Sequence, residues 1–131
     1  MKKTGLLHAE LSQVIATMGH GDLLVIADAG LPVPAGTRCI DLAVMQGVPA
    51  FDAVLAAVLG ELQVERAVHA TEALQRSPDF VSGLRTQLGD TPLAHIDHEA
   101  FKARTAAARA IVRTGEFTPY ANVILQAGVV F

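Results

Sequence analysis

Apolar residues fall into two rhythms along this chain. Leu11, Val14, Ile15 and Met18 recur at helical spacing over residues 8–18, and Gly19 and Gly21 follow as a stop. Leu23-Leu24-Val25-Ile26-Ala27 is instead a short unbroken apolar run, the mark of a strand buried on both faces. Gly30, Pro32, Pro34 and Gly36 make 28–38 a loop, and 39–44 reads as a second strand. Pro49 suits the first turn of a helix. Along it Phe51, Val54, Leu55, Val58, Leu59 and Leu62 form a wide stripe for packing on a sheet.

Residues 64–70 read as a third strand, and Ser77-Pro78 opens a helix that ends near Gly89. Residues 93–96 form a brief strand. Asp97 caps the next helix, with Glu99 in its first turn. Its alanines predict that this helix continues to about Thr114, with Phe101, Ala108, Ile111 and Val112 facing inward and Gly115 stopping it. Residues 122–131 form a closing strand. Helices and strands alternate and no repeat or linker interrupts them. The expectation is one domain over 1–131, a three-layer α/β/α fold around a central, largely parallel or mixed sheet.

Composition narrows the function. Of the 131 residues, 51% are hydrophobic, and the mean hydropathy of +0.39 is ample for a core and slightly rich for a small monomer. Copies of the chain are therefore expected to cover some apolar surface. A net charge of −3 with no basic block gives nucleic acid no electrostatic foothold. No apolar stretch suffices to span a bilayer, and His8, Glu10 and Gln13 break the start of any signal-peptide core. By elimination the expected location is cytoplasmic. The single cysteine, Cys39, lies in a strand pattern and reads as a buried small hydrophobe.

Two loops carry candidate chemistry. His20 sits between Gly19 and Gly21 before the buried strand, and Asp28 follows that strand at the edge where α/β proteins usually place ligands. Taken alone, this segment reads more readily as a helix cap, a solvated turn histidine and a turn aspartate. The second loop is Thr118-Pro119-Tyr120-Ala121-Asn122, whose tyrosine and asparagine match hydroxyl groups, or equally form a plain turn. His98 falls in a helix first turn, where it can reach a cleft or lie on the surface. His8, His69, His95 and His98 lack zinc-site spacing, so no metal is expected. Dinucleotide, Walker and nucleophile-elbow motifs are absent from the sequence. What remains is acid/base work on a small polar ligand.

In order, the motif blocks are Gly-His-Gly-Asp at 19–22, Asp-Ala-Gly-Leu-Pro-Val-Pro at 28–34, Ile-Asp-Leu-Ala at 40–43 and Gln-Gly-Val-Pro at 46–49. His-Glu-x-Phe-Lys at 98–102, Gly-Glu at 115–116, Thr-Pro-Tyr-Ala-Asn-Val-Ile-Leu at 118–125 and Gly-Val at 128–129 complete the set. The chain thereby resembles the D-ribose pyranase family, with only about 72–92 carrying no motif. The resemblance implies interconversion of the pyranose and furanose forms of D-ribose, without a cofactor. It implies His20 as the proton donor. Asp28, His98, Tyr120, Ala121 and Asn122 are its implied substrate contacts, with Lys102 a weaker candidate. It also implies a ring-shaped homo-oligomer, a decamer of two pentamers, with sites near subunit contacts. The related L-fucose mutarotases typically carry histidine where this chain has Gly30, and Tyr-Gly-Asn where it has Tyr120-Ala121-Asn122. Both differences favour ribose. The alternatives are fucose-type activity and a non-catalytic sugar-binding module serving ribose uptake.

Overall fold

The run at 23–27 becomes β1 (Leu23–Ala27) and lies inside the sheet, as its lack of a polar face requires. Its residues alternate between two cores. Leu24 and Ile26 join one apolar cluster, and Val25 and Ala27 join another on the opposite face. The computed structural model describes residues 1–131. Its other strands are β2 (Cys39–Asp41), β3 (Val64–Ala70), β4 (Leu93–Ile96), β5 (Ala110–Arg113) and β6 (Val123–Ala127). They form one sheet in the order β2-β5-β1-β6-β3-β4. Only β6 runs against its neighbours; the β2–β5, β5–β1 and β3–β4 pairs are parallel. The sheet is thus mixed and largely parallel.

The helices are α1 (Ala9–Thr17), α2 (Phe51–Leu59), α3 (Ala73–Arg76), α4 (Pro78–Leu88) and α5 (His98–Thr105). Leu11 and Val14 of α1, Val54, Leu55 and Val58 of α2, and Leu84 of α4 cover the larger core on one face. Phe101 of α5 fills the smaller core on the other. This gives the expected three layers.

Four local expectations need correction. The helix predicted to reach Thr114 ends at Thr105, and Ala110–Arg113 is a strand. Alanine propensity favoured helix there, but the gap between β1 and β2 takes these residues as β5, paired on both sides. Pro49 precedes α2 instead of lying in its first turn; its carbonyl accepts the Gly115 N–H at 2.9 Å, which holds it in a turn. Cys39 is exposed, because edge strand β2 alternates and turns Ile40 inward. What burial the thiol has, reinforced by the Asp41 carboxylate, pushes it above its usual range, so it remains a poor nucleophile. Ser77 flanks α4 without a side-chain cap; its hydroxyl instead donates to the Pro119 carbonyl at 2.6 Å.

Candidate active site

Because β6 alone is antiparallel, its first residue lies beside the last residues of β1 and β3. One edge of the sheet therefore collects the segments after β1, β3, β4 and β5 with the segment before β6. Open α/β sheets offer ligands this edge. Asp28, Gly30, Leu31, Pro32, Arg76, His98, Pro119, Tyr120 and Asn122 line a hollow of about 300 Å³ there. That is at the small end of ligand sites and suits a small polar molecule.

Asp28 and Asn122 form its floor. The Asp28 backbone N–H donates to Asn122 Oδ1, and Asn122 Nδ2 donates to Asp28 Oδ2, each at 2.8 Å. Gly30 N–H donates to Asp28 Oδ1 at 2.9 Å. Both carboxylate oxygens are thus oriented, yet each keeps acceptor capacity for a ligand hydroxyl. Asn122 is almost wholly buried, and its amide serves Asp28. Tyr120 is the one non-glycine residue with positive φ, at 60°, and its carbonyl accepts the Asn122 N–H at 2.8 Å. Such backbone strain persists only where surroundings impose it, often at functional sites. The Tyr120 ring meets His98 edge-on, centroids 5.0 Å apart. Ala121 is fully buried and contributes no wall. Lys102 also stays out of the wall, its Nζ pairing with Glu99 at 2.7 Å.

A frame of charged groups, unassigned from sequence, fixes these loops. Glu116 accepts from the Thr118 hydroxyl at 2.8 Å, from the Phe117 and Thr118 amides at 3.2 Å, and from the Phe51 amide at 3.3 Å. Burial alone would raise its carboxyl. The bonds from Thr118, Phe51 and Phe117 outweigh that and hold it below the usual range. The Glu116 carbonyl takes the Ala29 N–H at 2.8 Å, and Arg113 Nε donates to the Ala29 carbonyl at 3.0 Å. Asp41 then holds Arg113 at 2.9 Å. A Cβ on Gly115 would lie 2.5 Å from the Met45 carbonyl and 2.6 Å from the Val48 nitrogen, so only glycine lets the 45–49 turn dock. The Ile-Asp-Leu-Ala, Gln-Gly-Val-Pro and Gly-Glu blocks thus brace the site. From the motif-poor stretch come Arg76, which lines the hollow, and Glu72, whose Oε1 accepts the His98 N–H at 3.1 Å.

His20 lies elsewhere. It precedes β1 while Asp28 follows it, and a five-residue strand alone spans roughly 13 Å from first to last Cα. A histidine side chain does not bridge that. Its Nε2 pairs with Glu65 Oε2 at 2.9 Å, and Gln126 Nε2 donates to Glu65 Oε1 at 2.7 Å. Both partners belong to the opposite sheet edge. The candidate residues Asp28, His98, Tyr120 and Asn122 meet within one chain; His20 does not join them.

The fold and motifs have close counterparts. The RbsD / FucU transport protein family matches residues 1–130. The D-ribose pyranases of Paracidovorax citrulli and Chloroflexus aggregans are 59% and 55% identical to this chain, with both partners covered completely. Bacillus subtilis RbsD, solved with D-ribose, superposes at a TM-score of 0.97, with 45% identity and full coverage of both chains. A fucose mutarotase from Streptococcus pneumoniae, solved with L-fucose, reaches 0.81 with 27% identity and 95% of each chain covered. This chain belongs to the RbsD/FucU family, on its D-ribose pyranase branch.

Proposed function

We propose that this protein interconverts the pyranose and furanose rings of D-ribose by acid/base opening and reclosure of the hemiacetal. The observation that carries this reading is the hollow floored by the Asp28–Asn122 pair and walled by His98 and Tyr120. Fixed acceptors and donors around a small polar hollow match a pentose bearing a hydroxyl on nearly every carbon. Ring opening removes the proton from the anomeric hydroxyl and delivers one to the ring oxygen. The aldehyde then recloses through a different hydroxyl, returning both protons. Asp28 and His98 accept from the sugar, and His20 moves the proton, since histidine changes charge near neutral pH. These steps use protein side chains only, with no cofactor or metal.

Because His20 sits at the opposite sheet edge, a neighbouring copy supplies it. Exposed apolar residues support such docking at both ends. Phe117 is exposed beside the hollow, where it lines a cleft with Asp28, and Val130 and Phe131 are exposed beyond β6 at the other end. Two different patches meeting head to tail close into a ring when the rotation allows. A pentameric ring, paired into a decamer, fits this arrangement. D-ribose is the substrate and the cytoplasm the compartment, where ribose catabolism draws on the product; neither nucleic acid nor membrane is a partner.

Saturation-difference NMR between anomeric signals of D-ribose tests the activity. Protein should accelerate exchange between pyranose and furanose signals. Ribose binding without acceleration would leave only the binding-module reading.

A further inference from the structure

Two buried polar atoms at the site have no partner: Glu72 Oε2 and His98 Nδ1. Native folds seldom leave such atoms unpaired, and those that persist often mark function. The two belong to groups already joined, since Glu72 Oε1 accepts the His98 backbone N–H at 3.1 Å. Both roots are fixed. The Glu72 carbonyl accepts the Arg76 N–H at 3.0 Å and opens α3, whose Ala73 is fully buried. The His98 ring stacks on Phe101 at 6.4 Å and meets Tyr120 edge-on. The ring lines the hollow while its Nδ1 is buried, and Glu72 meets the same residue at its backbone N–H, although Oε2 and Nδ1 do not bond each other.

We propose that Glu72 is the positioning residue of His98. Its Oε2 takes the His98 Nδ1–H when sugar fills the hollow, fixing the tautomer that leaves Nε2 unprotonated as an acceptor for a sugar hydroxyl. A carboxylate behind an imidazole sets tautomer and orientation in this way without touching substrate. The assignment rests on the reading that His98 faces ribose. It gives a role to a residue in the one stretch without a motif.

The test is long-range proton–nitrogen NMR on histidine-labelled protein saturated with D-ribose, the His98 signals being assigned by their loss in His98→Ala. Wild-type His98 should carry its proton on Nδ1. Glu72→Gln keeps an acceptor for the His98 N–H but turns an amide NH2 toward Nδ1, so the balance should move to the Nε2–H tautomer. Exchange at saturating ribose should then fall about tenfold while KM changes less than about threefold. A wild-type ring protonated on Nε2 overturns the proposal, and needs no variant to be observed. An unchanged tautomer balance in Glu72→Gln overturns it as well. Wild-type protein that fails to accelerate ring exchange counts against the ribose reading instead, because the tautomer is read from the protein itself.

Discussion

Asn122→Ala should uncouple the floor of the site from the rest of the fold. The Asn122 side chain is almost wholly buried and spends two 2.8 Å bonds on Asp28. Truncation removes a donor to a carboxylate, about 1.5–3 kcal/mol, and leaves the Asp28 N–H unpaired, about 1–3 kcal/mol. The two together come to about 2.5–6 kcal/mol, a large fraction of the about 5–15 kcal/mol of a typical domain, so the variant is markedly weakened. At fixed protein concentration, with a urea slope of about 1–3 kcal/mol per molar, the midpoint should fall by at least about 1 M. Ribose exchange should fall too, because the Asp28 carboxylate keeps only the Gly30 N–H. His20→Ala is the contrast. Its side chain is 62% exposed, and an exposed ion pair such as that with Glu65 is worth about 0–1 kcal/mol. Its midpoint should barely move while exchange falls at least about 100-fold. An Asn122→Ala protein with an unchanged midpoint would refute the energetic reasoning. One with unchanged exchange would refute the role given to Asp28.

Glu116 has a lowered carboxyl, so its stabilisation is present above the ordinary glutamate value of about 4.5 and is lost as pH falls through the lower folded value; Glu116→Gln should flatten stability against pH in that acid window, measured by urea titration. His69 is almost wholly buried and its pKa is lowered from 6.5, chiefly by burial. Its contribution is present above 6.5 and declines as pH falls toward the folded value, and His69→Gln should remove that slope. Gly115→Ala forces a Cβ into the backbone of the 45–49 turn and should cost about 1–3 kcal/mol by thermal melting, with Gly21→Ala, where a Cβ meets nothing, revealing the cost of positive φ alone. Gly30 lines the hollow without positive φ, so Gly30→Val should fold normally yet raise KM for ribose several-fold.

The sequence exposed those parts of the fold whose local pattern agrees with their tertiary place. β1 was legible because a strand buried on both faces reads as an unbroken apolar run. β5 was not, because the preceding Thr105-Ala-Ala-Ala-Arg favours continued helix locally and only the open position between β1 and β2 makes Ala110–Arg113 a strand. Cys39 failed for a related reason: a three-residue strand carries too little alternation to show which face is core. At the site, Asp28 and Asn122 stood out as loop residues flanking strands, but their mutual bonds depend on β6 running antiparallel to β1, which spacing does not reveal. The distance between His20 and Asp28 was implicit in the strand separating them. Glu72 gave no signal, because its meaning lies in a contact 26 residues away.

A site that joins His20 of one copy to Asp28 of another can be rebuilt by complementation between two inactive variants. His20→Ala and Asp28→Asn should each lack ribose exchange as pure oligomers. Co-expressed in equal amounts, they should assemble with about one site in four holding both native residues, if subunits mix at random. The mixture should recover about a quarter of wild-type exchange by NMR. Mixed oligomers, verified by mass, that remain as inactive as the pure variants would contradict it, because a site built within one chain always carries one lesion.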